Sequence, residues 1–180
     1  MAKMLNFSLK FVDIMVGIVL GLGFQWWPEL HEPWQYVAFI FVYFDIVDYW
    51  IEYSPTLKKW PPKREIDVIL DVAISFSLFL YIYSTQLAII YLLGACILTK
   101  VLDYLWLLSS KVEFNPTGPD RVYIDTWLKL NLSIVIMSLA LIALNYYMHL
   151  APSLTLFVYI GGRLVIRIIA STQYKKIHYS

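Results

Sequence analysis

The sequence predicts an all-α, polytopic membrane protein with six transmembrane helices and both the N- and C-termini in the cytoplasm. Three observations predict it. The chain is 60% hydrophobic with a mean hydropathy of +0.65, well above the roughly 45–50% apolar content of a soluble domain. Its apolar residues gather into six long stretches, and Lys and Arg crowd into alternate connections between them. Backbone groups in hydrocarbon must be satisfied internally, so such stretches are helices.

A bilayer core takes about 20 apolar residues per helix. The first expected span runs from about Phe7 to Trp26, closed by Trp26-Trp27-Pro28. No small-residue cleavage site follows it, so it reads as a retained helix and not a signal peptide. The second runs from about Trp34 to Tyr53 and stops before Pro55, because proline disrupts a helix interior. The third covers Ile66 to Tyr83, the fourth Leu87 to Leu108, the fifth Tyr123 to Tyr147 and the sixth Leu154 to Ala170. Short connections join them into one domain, residues 1–180, without an internal repeat.

Loop charge sets the expected direction. Lys3 and Lys10 precede or open the first span, and Lys58, Lys59, Lys63 and Arg64 separate the second from the third. Lys111 and Arg121 flank the fourth connection, and Lys175 and Lys176 follow the last span. The intervening connections hold Glu29, His31 and Glu32, then Ser84-Thr85-Gln86, then His149 near Pro152, with no Lys or Arg. The positive-inside rule therefore assigns both termini to the cytoplasm.

The acids and bases embedded in the spans fall in the cytoplasmic half or near the midplane. They are Asp13, Asp45, Asp48, Glu52, Asp67, Asp71, Lys100, Asp103, Asp125, Lys129, Arg163 and Arg167. At about 1.5 Å per residue, Asp13, Asp48 and Asp71 lie roughly 8–9 Å inside their helix ends. Asp45, Asp48 and Glu52 share one face of the second helix. Lys100 and Asp103, Arg163 and Arg167, and Asp125 and Lys129 are each about one turn apart. Ionisable groups at this depth are costly unless paired or wet. One reading is a set of interhelical ion pairs and snorkelling groups. The other is a wet acidic vestibule that concentrates cations, with any surplus of acid met by cations, water or protons.

Beyond Asp13 the first span carries no charge. Ile14, Ile18, Leu22 and Gln25 form one stripe, with Gly17 and Gly21 at the spacing that lets transmembrane helices approach closely. An acid followed by a branched aliphatic stripe suits a hydrophobic gate above a cation-attracting mouth. Phe11-Val12-Asp13 followed by Ile18 and Leu22 resembles the opening of the transmembrane protein 175 family, the lysosomal-type potassium channels. Val12 stands where that family has serine, Lys10 is the nearest base to its upstream arginine, and Gly21 stands where a small polar residue often occurs. The resemblance implies a potassium or other monovalent-cation channel in a prokaryotic plasma membrane. It further implies a homo-tetramer around four first helices, with Ile18 and Leu22 as gate residues. Phe11, Asp13, Asp45, Asp48, Asp71, Lys100, Asp103, Arg163 and Arg167 would form its polar network.

Other readings stay open. A small-molecule or proton-coupled transporter would use the deep carboxylates as relays. A magnesium-dependent intramembrane transferase would use Asp45, Asp48 and Glu52 with Asp67 and Asp71, since magnesium prefers oxygen ligands. However, Asp48 is followed by Tyr49-Trp50, not by the glycine and Ala-Arg pair of the CDP-alcohol phosphotransferases. The lone Cys96 excludes an intrachain disulfide, and His31, His149 and His178 lie in loops or the tail, which argues against a zinc site. A net charge of +1 with no basic run or glycine-rich phosphate loop gives no reason to expect nucleic acid or nucleotide. No cofactor is expected, and the partners expected are membrane lipid, monovalent cations and further copies of the chain.

Overall fold

The computed structural model describes residues 2–173, with side chains from Lys10 onward. The expectations placed on the side chain of Lys3 and on Lys175, Lys176 and His178 lie outside the described residues. Among the described residues six helices follow one another: α1 (Ala2–Gly23), α2 (Pro33–Lys59), α3 (Glu65–Tyr83), α4 (Ile89–Phe114), α5 (Gly118–Met148) and α6 (Pro152–Ser171). Short 3-10 turns, Phe24–Glu29 and Ser84–Gln86, follow α1 and α3. There is no strand among the described residues.

Local chemistry sets most of the helix ends. Proline opens α2 and α6, where a missing N–H has no intrahelical partner to lose. The Gln35 side chain folds back to accept hydrogen bonds from the backbone N–H groups of His31 (2.8 Å) and Glu32 (3.0 Å) at the start of α2. At the other ends of α4 and α5, Asn115 (φ 42°) and His149 (φ 48°) adopt the left-handed conformation that turns the chain out of a helix.

Several boundaries differ from expectation. Helix α2 does not stop before Pro55 but runs through it to Lys59. Leu57 and Trp60 are buried beyond the proline, and the Thr56 hydroxyl donates to the Glu52 carbonyl at 2.6 Å, so packing outweighs the lost backbone bond. Helix α4 extends past Leu108 to Phe114, and α5 begins at Gly118 instead of Tyr123, so both project beyond their apolar spans. Polar residues are no obstacle there, because that helix surface need not face hydrocarbon.

The most extensive packing is between α4 and α5, then between α3 and α4. Helix α1 leans on α3 and α2 from one side, while α6 packs on α5 and α2. The α2–α3 and α4–α5 connections meet at one end of the bundle, where Lys59 pairs with Asp120 (2.7 Å) and Arg64 lies 3.7 Å from Glu113. At the opposite end the Gln35 side-chain amide donates to the Gln86 carbonyl at 3.0 Å. The bundle thus has a basic-rimmed end and an end poor in Lys and Arg.

Five of the six helices are long and apolar enough to cross a membrane. The exception by composition is α2, which is 27 residues long but carries Asp45, Asp48 and Glu52. Asp45 and Glu52 are buried in the bundle, whereas Asp48 lies at its edge with its side chain 39% exposed.

Candidate functional site: an internal polar layer and the open face of α1

The embedded charges fall into two groups, and the larger one is internal. Asp45 of α2 pairs with Arg163 of α6 at 2.8 Å, with side chains only 7% and 3% exposed. One turn further along both helices, Arg167 grips Asp48 through two bonds of 2.9 and 3.0 Å and reaches Glu52 at 3.0 Å. Its guanidinium also lies 5.2 Å from the Trp127 ring. The i, i+3, i+7 acids of α2 therefore meet the i, i+4 bases of α6 in register, which the two helical repeats make possible.

Tyrosines and an amide serve the remaining acids. Asp103 accepts from the Asn131 amide at 2.6 Å and from the Tyr49 hydroxyl at 3.2 Å. Asp71 accepts from the Tyr53 hydroxyl at 2.5 Å. Lys100, fully buried, sits 5.4 Å from the centre of the Tyr49 ring, a cation–π contact and not a carboxylate pair. Nearer the far end, Tyr81 and Tyr159 hydroxyls are 2.9 Å apart, and Tyr159 donates to the Cys96 sulfur at 2.8 Å. Glu52 and Asp103 share the wall of a small cavity with Tyr49, Tyr53, Tyr123 and Trp127. The cavity offers about 10 Å³ to the centre of a water-sized sphere, the lower bound of what one water needs.

At the basic rim the pairs are more exposed. Arg64 binds Asp67 at 3.1 Å, and Ser109 hydrogen-bonds both residues. The hydrogen bond that Arg64 donates to Asp67 and the negative charge of that carboxylate raise the Arg64 pKa above its ordinary value. Lys111 holds Asp125 at 2.5 Å and Arg121 stands 3.7 Å from it. Asp125 and Lys129, one turn apart, are therefore not brought together as a pair.

The second group is α1. Val12, Val16 and Val19 are buried against the bundle. Ile14 (61% exposed), Ile18 (43%) and Leu22 (41%) point away from it, as does Gln25. Gly17 and Gly21 lie on the same open side, with nothing within 4 Å of where a Cβ would stand. Asp13 is exposed there too, and accepts a hydrogen bond from the Trp50 indole at 2.8 Å. Phe11 is half-buried against the core.

The polar set expected from sequence thus divides: Asp45, Asp71, Lys100, Asp103 and Arg163 are buried inside the subunit, Asp48 and Arg167 pair at its edge, and Asp13 stays on the open face of α1. Sequence reasoning missed the partners Tyr49, Tyr53, Trp50 and Asn131. Tyr49 and Tyr53 are spaced i, i+4 among the acids of α2, and Asn131 interrupts an apolar run, so a signal was present. No group of three or more His, Cys, Asp or Glu is arranged to hold a metal among the described residues. Comparisons with protein-family models, with curated proteins and with solved structures gave no match.

Proposed function

We propose that the chain forms a cation-conducting channel from several copies, with α1 of each lining the pore. The open face of α1 carries this reading. An aliphatic stripe, a Gly-x-x-x-Gly pair and an exposed carboxylate all lie on the side that the subunit leaves uncovered. In a lone subunit that face meets lipid, where a carboxylate is costly and the glycines contribute nothing. Around a symmetry axis all three gain a use: Gly17 and Gly21 admit a close neighbour, Ile14, Ile18 and Leu22 form a dewetting constriction, and Asp13 draws cations to its mouth.

In this reading all six helices span the membrane, with the basic rim and both termini in the cytoplasm. The internal ion pairs occupy Asp45 and Asp48, so the vestibule reduces to a ring of Asp13 carboxylates. A four-fold axis is the arrangement implied by the family resemblance, and potassium is the ion it implies. Its test is flux of monovalent cations from liposomes loaded with purified protein. Ile18→Asn should raise the leak by wetting the constriction. Protein that passes no current, and is indifferent to Ile18→Asn, would end this reading.

A carrier is the second reading, supported by the Lys100, Asp103, Tyr49 and Asn131 cluster inside one subunit beside a cavity near Glu52. Deep ionisable residues of this kind serve proton relays. Saturable uptake at single-subunit stoichiometry, lost in Asp103→Asn and indifferent to Ile18→Asn, would favour it over the channel.

A further inference from the structure

We propose that the groove between α5 and α6 near the basic rim is a binding site for the headgroup of an anionic glycerophospholipid, with Lys129 as its charged contact. The groove is open along one side, has a volume of about 230 Å³ and is lined by Thr126, Lys129, Ser133, Ile166, Ile169 and Gln173 among others.

Local pairing leaves Lys129 available. Its natural partner one turn earlier, Asp125, is held by Lys111 at 2.5 Å and approached by Arg121 at 3.7 Å. No ion pair to Lys129 is formed among the described residues, although the side chain is exposed. An ammonium on the flank of an apolar helix is costly in hydrocarbon unless it reaches an anion or the interface.

The groove supplies that anion's remaining needs. Thr126, Lys129 and Ser133 follow an i, i+3, i+7 spacing, so two hydroxyls flank the ammonium on one helix face. Gln173, just beyond the end of α6, adds an amide donor at the rim. Ile166 and Ile169 give the opposite wall an apolar surface on which an acyl chain can lie. Both flanking helices are long and apolar enough to cross a membrane, so the groove opens sideways to lipid. A phosphate diester entering from the bilayer satisfies the lysine, the hydroxyls and the isoleucines together, in the way basic recesses between helices bind lipid headgroups. This inference is independent of whether α1 lines a pore.

The test is lipid retention by the purified full chain in detergent, read by native mass spectrometry with phosphatidylglycerol and phosphatidylcholine in competition. Wild type should retain phosphatidylglycerol preferentially. Lys129→Gln should weaken that preference about five-fold, the change that roughly 1 kcal/mol per lysine corresponds to. Lys129→Arg should keep it, and so should Lys58→Gln at the exposed rim. Ile169→Trp fills the groove while leaving the charge in place, and should weaken retention even if Lys129→Gln folds poorly. Unchanged preference in both Lys129→Gln and Ile169→Trp overturns the site. Displacement of the lipid by glycerol phosphate at equal concentration overturns its assignment to lipid and marks a soluble-phosphate site instead.

Discussion

Replacing Arg163 by methionine tests whether the internal ion pairs are structural. The guanidinium and the Asp45 carboxylate are 2.8 Å apart and almost wholly buried. With an effective dielectric of about 20, two unit charges at that distance attract by roughly 6 kcal/mol. Desolvation of each ion opposes this by several kcal/mol, so the intact pair adds little net stability. The arginine makes the balance less favourable still, since its Nε and Nη1 find no hydrogen-bond partner among the described residues. Removing Arg163 alone is different, because it strands the Asp45 carboxylate without its counter-charge. Arg163→Met should therefore cost about 3–5 kcal/mol. The double variant Asp45→Asn, Arg163→Met should recover most of that loss. The assay is denaturant unfolding in mixed micelles of wild type, both single variants and the double variant, read as a double-mutant cycle. An Arg163→Met variant within about 1 kcal/mol of wild type, or a double variant no better than the single, would refute the reasoning.

Four further outcomes follow from the same geometry. At Gly23 an added Cβ would stand 2.7 Å from the Tyr43 hydroxyl and 2.9 Å from Ile82 Cγ2; Gly23→Ala should destabilise the subunit by about 1–3 kcal/mol in the same unfolding assay. Gly21→Leu meets open space within the subunit, so it should leave subunit unfolding unchanged while shifting the sedimentation profile toward smaller species if α1 faces a second copy. In a Cys96→Ala background, Ile18→Cys should give an inter-subunit disulfide on mild oxidation, seen as a doubled mass on a non-reducing gel; its absence counts against α1 on a symmetry axis. The Lys59–Asp120 pair, 37% and 35% exposed, should show a coupling of only about 0.2–1 kcal/mol that shrinks as salt is added.

Much of this was legible in the chain itself. Apolar run length fixes the number and approximate extent of the helices, because a helix in hydrocarbon satisfies its own backbone and needs no distant partner. The 3.6-residue repeat places Asp45, Asp48 and Glu52 on one face of α2 and puts Ile14, Ile18 and Leu22 on one stripe of α1. Those are local properties, carried by neighbours in sequence.

Tertiary structure decided which faces meet. Arg163 and Arg167 choose Asp45, Asp48 and Glu52 because α6 packs on α2, a contact that spans more than a hundred residues of chain. Asp125 turns to Lys111 across the α4–α5 junction and leaves Lys129 to the groove. Helix α2 passes through Pro55 because Leu57 and Trp60 bury beyond it. A helical repeat states which residues share a face; only packing states what that face touches, and in a low-dielectric interior that contact determines whether a charge is matched, stranded or free to bind.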